Sequence, residues 1–79
     1  MPLVVELSTS LRRYVPGYDA RRGLVVEVGP GRALAQVVAD LGIPREEVAI
    51  IMLNRVVAGL DQVAHDGDLL GLFPPLGGG

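Results

Sequence analysis

The 79-residue chain is 49% hydrophobic with a formal net charge of −2, enough apolar material for one small domain and no electrostatic drive toward nucleic acid. It contains no cysteine, which excludes disulfides, thiolate zinc sites and a thiol nucleophile on this chain. No basic segment leads into an apolar stretch at its start and no apolar run approaches about 18 residues, so a cytoplasmic protein without membrane contact is expected.

The first predicted element is a strand over Leu3-Val4-Val5-Glu6-Leu7, with Leu3, Val5 and Leu7 on one face and Val4 and Glu6 on the other. Residues 8–23 hold no sustained period and read as a long connection, with Leu11 and Tyr14 turned inward. Within it Arg12, Arg13, Arg21 and Arg22 form a local basic patch of the kind usually found on a solvated face. Leu24 to Val28 alternates again and is expected to pair antiparallel with the first strand. Gly29-Pro30-Gly31 is a turn, since neither the lysine-serine/threonine end of a phosphate loop nor a dinucleotide fingerprint is present.

Leu34, Val37, Val38 and Leu41 then recur at the spacing of one helical stripe, stopped by Gly42 and Pro44. Glu46 and Glu47 suit the start of a further helical turn, where acids meet the positive end of the backbone dipole. Val48 to Leu53 is an apolar run of six and predicts a strand shielded on both faces, with Met52 in the core. Asn54-Arg55 reads as a turn into Val56-Val57, and His65-Asp66-Gly67-Asp68 as another turn. One histidine and two aspartates in a single turn are too few ligands for a metal, so none is expected. Leu69 to Phe73 is a last short strand interrupted by Gly71, and Phe73, the only Phe, is expected to end it inside the core. The order strand, strand, helix, strand, short strand, strand predicts an α+β domain in two layers, a mixed sheet of four to five strands on one main helix. No nucleophile-base-acid set or carboxylate pair points to intrinsic catalysis.

The domain is expected to span 1–73, with 74–79 as an extended tail, Pro74-Pro75-Leu76-Gly77-Gly78-Gly79. The proline pair stiffens a stalk, and glycines carry no side chain that would bar a narrow channel. Those six residues reach roughly 20 Å at ~3.3 Å each, far enough for the Gly79 carboxylate to enter a partner's site while the domain stays outside. All seven basic side chains are Arg, so an activated carboxyl finds no lysine amine on its own chain, and copies cannot be linked through lysine. Genomic composition bias accounts for the missing lysine more simply than selection does, but the chemical consequence is the same.

The element order resembles the β-grasp fold of ubiquitin-like proteins. Asp66-Gly67-Asp68, then Phe73-Pro74-Pro75 and a terminal Gly-Gly, resembles the signature of the MoaD/ThiS-like sulfur carriers, nearest to the molybdopterin synthase small subunit; Leu11-Arg12 is similar to a segment of that subunit. The chain departs from the small-subunit pattern in having Gly77 before the final pair. The resemblance implies that Gly79 is adenylated by a ubiquitin-activating-type adenylyltransferase, which brings ATP and magnesium, so that no cofactor resides on this chain. A sulfur donor enzyme then makes a thiocarboxylate, and a molybdopterin synthase large subunit uses it to build the molybdenum or tungsten cofactor. Gly77 and Gly78 would give access to the channel. Phe73, Pro74, Pro75 and Leu76 would meet the partner, with Leu76 the better contact if Phe73 is core. The chain would be a carrier and not a catalyst. The alternatives are a carrier for thiamine or another sulfur metabolite, a ubiquitin-like modifier of lysines, and a binding module with an inert tail.

Overall fold

In a computed structural model, which describes residues 2–75, the first alternating segment forms strand β1 (Leu3–Leu7), with Leu3, Val5 and Leu7 buried. Strand β2 (Leu24–Val26) pairs with it antiparallel, Val4 opposite Val25. It stops short of the expected Val28, yet Val28 is still buried. The long connection contains a 3-10 helix, Thr9–Tyr14, that drives Leu11 fully into the core and leaves Tyr14 half-buried.

This connection also closes the end of β1. The Leu7 N–H donates to the Tyr18 hydroxyl oxygen at 2.9 Å, and the Leu7 carbonyl accepts from Arg12 Nε at 2.9 Å. Side chains of the loop thus satisfy backbone groups beside a buried residue that would otherwise lack partners. Tyr18→Phe is expected to lower stability by about 1–2 kcal/mol in urea unfolding, because the N–H loses its acceptor without regaining water. An unchanged midpoint would show that water replaces the hydroxyl.

The helical stripe becomes α1 (Leu34–Asp40), whose Leu34, Val37 and Val38 are buried against the sheet. No side chain caps its start; instead the Leu34 and Ala35 N–H groups donate to the Gln62 and Leu60 carbonyls at 2.8 and 3.0 Å. At its end Gly42 has φ 76°, and the following Ile43 is buried, its N–H donating to the Val38 carbonyl. A 3-10 turn, Arg45–Glu47, follows as expected, and Glu47 reaches Arg13 at 3.2 Å.

Two short strands were not apparent in the sequence: β3 (Arg32–Ala33), just before α1, and β6 (Val63–Ala64), which pair antiparallel as a separate ribbon. The main sheet continues with β4 (Ile50–Leu53), β5 (Val56–Val57) and β7 (Leu69–Phe73), in the spatial order β2-β1-β7-β4-β5. The last strand lies in the middle, parallel to β1 and antiparallel to β4. Its Leu70 and Leu72 are fully buried between sheet and helix, so strand alternation sends Leu69, Gly71 and Phe73 to the other face. This is the expected α+β arrangement, a mixed five-stranded sheet with one main helix.

The outer face corrects three expectations. The run Val48 to Leu53 is not shielded on both sides: Ile51 and Leu53 face the helix, whereas Ile50 is 41% exposed and Met52 half-buried. Phe73, expected in the core, is 38% exposed. An apolar run signals a strand but does not reveal whether a second layer covers its far side.

Asn54 and Arg55 carry φ of 53° and 69°, the doubly left-handed pattern of a tight hairpin turn between β4 and β5. Asn54 then clips two turns together. Its Oδ1 accepts from the Leu69 N–H at 2.9 Å, and its Nδ2 donates to Asp68 Oδ1 at 3.0 Å. Asp68 Oδ2 accepts from the His65 N–H at 2.8 Å. The hydrogen bonds from Asn54 and from the His65 backbone hold the Asp68 carboxyl below its ordinary pKa. A carboxyl depressed in the folded state contributes stability above its unfolded value of about 3.9 and loses it as pH falls through the folded pKa. Asn54→Ala is expected to cost about 2 kcal/mol at neutral pH, from two side-chain bonds and a residue type suited to positive φ. It should also reduce the part of the stability loss that occurs between about pH 5 and pH 3. Urea titrations at several pH values check both, and an acid limb identical to that of the wild type would contradict the Asp68 account.

Candidate functional site

Strand β7 carries the chain to the tail from the middle of the sheet. Its last pairings are made by the Leu72 carbonyl, which accepts from the Ser8 N–H at 3.1 Å, and the Phe73 carbonyl, which accepts from the Ala49 N–H at 2.8 Å. Pro74 and Pro75 have no N–H, so the ladder cannot extend past Phe73 and the chain must leave the sheet. Pro74 is half-buried and Pro75 exposed. The structure therefore gathers Phe73, Pro74 and Pro75 at one end of the sheet. The expected site residues Leu76, Gly77, Gly78 and Gly79 lie outside the described residues.

Phe73 lies across Gly71. A Cβ added at Gly71 would sit 3.2 Å from Phe73 Cε1, so the missing side chain is what lets the ring settle onto the strand. Beside it is a hollow of about 160 Å³, lined by Glu6, Met52, Arg55, Leu69, Gly71 and Phe73. Register explains the composition: Gly71 is opposite Glu6 on β1 and Met52 on β4, with Leu69 and Phe73 on the same face of its own strand.

On the other flank of Phe73 a second hollow of about 300 Å³ is lined by residues that include Ser8, Arg12 and Tyr18. Arg12 is held by the Leu7 carbonyl and stacks over the Tyr18 ring, 5.3 Å from its centroid. Sequence reasoning marked Phe73 and the prolines but missed Gly71, Met52, Glu6, Arg55 and Arg12 as their neighbours. The available signal was Gly71, a glycine inside an otherwise apolar strand.

His65 is exposed in its turn, 4.0 Å from Asp68. Among the described residues no group of three His, Cys, Asp or Glu side chains is placed to hold a metal. No helix among them is long and apolar enough to cross a membrane.

The fold is shared with the solution structure of a thiamine biosynthesis protein from Geobacter metallireducens, at a TM-score of 0.58 and 19% identity over 100% of this chain and 88% of that one. No curated protein sequence matches. The family model described as Mut7-C ubiquitin matches residues 2–76, from before β1 to just past the proline pair. With its ubiquitin-like β-grasp architecture and its likeness to the MoaD/ThiS-like carriers, the chain belongs to the Mut7-C ubiquitin family.

Proposed function

We propose that this protein is a sulfur carrier whose working group is the Gly79 carboxylate. That carboxylate attacks the α-phosphate of magnesium ATP on a ubiquitin-activating-type adenylyltransferase, releasing pyrophosphate and leaving an acyl-adenylate. Hydrosulfide supplied by a donor enzyme attacks the carbonyl carbon, the bond to AMP breaks, AMP and a proton depart, and a thiocarboxylate remains. The chain is the substrate in both steps, and the catalytic side chains belong to its partners. Gly77 and Gly78 leave the approach to the carbonyl unobstructed. The observation that carries this reading is a ubiquitin-like domain whose central strand runs straight into a proline pair followed by Leu76-Gly77-Gly78-Gly79.

The test is intact-protein mass spectrometry after incubation with an adenylyltransferase of this class, magnesium ATP and a sulfur donor. The expected product has gained the mass difference of sulfur over oxygen. An unchanged mass, with enzyme active on a known carrier, rejects the reading.

For the destination of the sulfur, Asp66-Gly67-Asp68 with Phe73-Pro74-Pro75 favours molybdopterin synthesis on a large catalytic subunit. A thiamine pathway is the second reading, favoured by the thiamine biosynthesis protein that shares the fold. Co-purification with a molybdopterin synthase large subunit separates the two.

A further inference from the structure

The sheet ends on one side at β2, and the backbone of that edge has no neighbour among the described residues. Strand β1 turns the polar groups of alternate residues to opposite sides. The Val4 N–H donates to the Asp68 carbonyl and the Ser8 N–H to the Leu72 carbonyl, both on the β7 side, so Leu3, Val5 and Leu7 turn theirs toward β2. Leu24 lies opposite Val5 and Val26 opposite Leu3, and these pairs carry the ladder. Val25, opposite Val4, therefore points its N–H and C=O away from the sheet, and its side chain is 57% exposed. All three residues of β2 are apolar, without the proline or charge that usually blunts an edge, whereas the opposite edge, β5, is only two residues long.

The two ends of this edge carry opposite charge. Arg21 and Arg22 precede it and Glu27 follows, all three are exposed, and among the described residues none is in an ion pair. A strand laid antiparallel against this edge needs an outward N–H and C=O at its middle, a base opposite Glu27 and an acid opposite the arginines. Strand β2 itself has that arrangement, in the reversed order that antiparallel pairing requires.

We infer that two copies of the chain join edge to edge at β2, about a two-fold axis through Val25. The Val25 N–H donates to the carbonyl of the partner's Val25, and the reverse bond closes the pair. Leu24 then lies opposite the partner's Val26, and Glu27 opposite the partner's Gly23, beside the partner's Arg22. Half-buried Leu24 and Val26 and exposed Val25 lose contact with water, and the five-stranded sheet of one copy continues into that of the other. Val25 is level with Leu69, so the pairing stands roughly 13 Å from Phe73 at ~3.3 Å per residue and leaves the base of the tail uncovered. Antiparallel pairing reverses the whole partner, and the two β7 strands run in opposite directions. A contact of a few residues on each side is far smaller than a permanent dimer interface, so the association is weak and depends on concentration.

Sedimentation velocity of the full chain across the micromolar to millimolar range should show the average mass rising from one copy toward two, with amide exchange at Val25 slowing over the same range. Val25→Pro removes the outward N–H but no bond to β1, and is expected to weaken association at least about tenfold. Glu27→Arg and Arg22→Glu each set like charges across the axis, twice in a symmetric pair, and should each weaken it at least about fivefold. An equimolar mixture of those two variants places opposite charges at both contacts and should return to within about twofold of the wild type. Glu27 and Arg22 are exposed, so both charge variants are expected to keep the wild-type thermal midpoint and stay readable if Val25→Pro loosens the strand. A constant single-copy mass up to millimolar concentration overturns the inference, and so does a dimer that Val25→Pro and Glu27→Arg leave unchanged.

Discussion

Leu70→Ala is expected to lower the unfolding free energy by about 3 kcal/mol, enough to remove much of the stability of a domain this small. Leu70 is fully buried in β7, between β1 on one side and β4 on the other, and its face of the strand packs beneath α1. Truncation there loses the transfer free energy of the side chain and leaves a cavity where two strands and the helix restrain collapse. Val57→Ala, an aliphatic truncation on edge strand β5, should cost less than about 0.5 kcal/mol. Urea unfolding of the pair, read from midpoints at constant slope, checks the contrast. Equal losses would mean that the centre of the sheet is no more constrained than its rim.

Removal of Gly79 should abolish the sulfur-dependent mass gain, or slow it by at least about a hundredfold, without moving the thermal midpoint. The truncated chain still ends in a glycine carboxylate, because Gly78 takes the terminal place. Its intrinsic reactivity is therefore unchanged, and only its position along the tail shifts, by roughly 3.3 Å. A displacement of that size takes the carboxylate out of line with the α-phosphate, where even about 1 Å of misplacement costs orders of magnitude. Mass spectra of full-length and truncated protein, collected over the same time course, give the comparison. A truncated chain that gains sulfur as fast as the full one would show that the carboxylate position is not read, and the assignment of the working group to Gly79 in particular would be wrong.

Much of this architecture can be traced to particular residues. The alternation of Leu3, Val5 and Leu7, the stripe of Leu34, Val37 and Val38, and the Asn54-Arg55 turn are local patterns, and each became the element they imply. The ribbon of β3 and β6 had no such signal. Each strand is two residues long, shorter than a period can be read from, and exists because Arg32 lies opposite Ala64 and Ala33 opposite Val63 in the folded chain. Met52 and Phe73 were misplaced for a related reason. Hydrophobicity records that a residue can be buried, whereas actual burial depends on which faces receive a second layer.

The tail and its unhindered glycines are written in the order of residues, as are the missing lysines and the proline pair that ends the ladder, because each depends only on covalent chemistry. The tertiary structure decided where the chain leaves the sheet after Phe73 and what surrounds that point. It placed β7 at the middle of the sheet, laid Phe73 over Gly71, and brought Glu6, Met52 and Arg55 from distant stretches of chain to the same hollow. Those neighbours depend on strand order and register, which arise from the packing of Leu70 and Leu72 beneath α1 and from pairing between segments far apart in sequence.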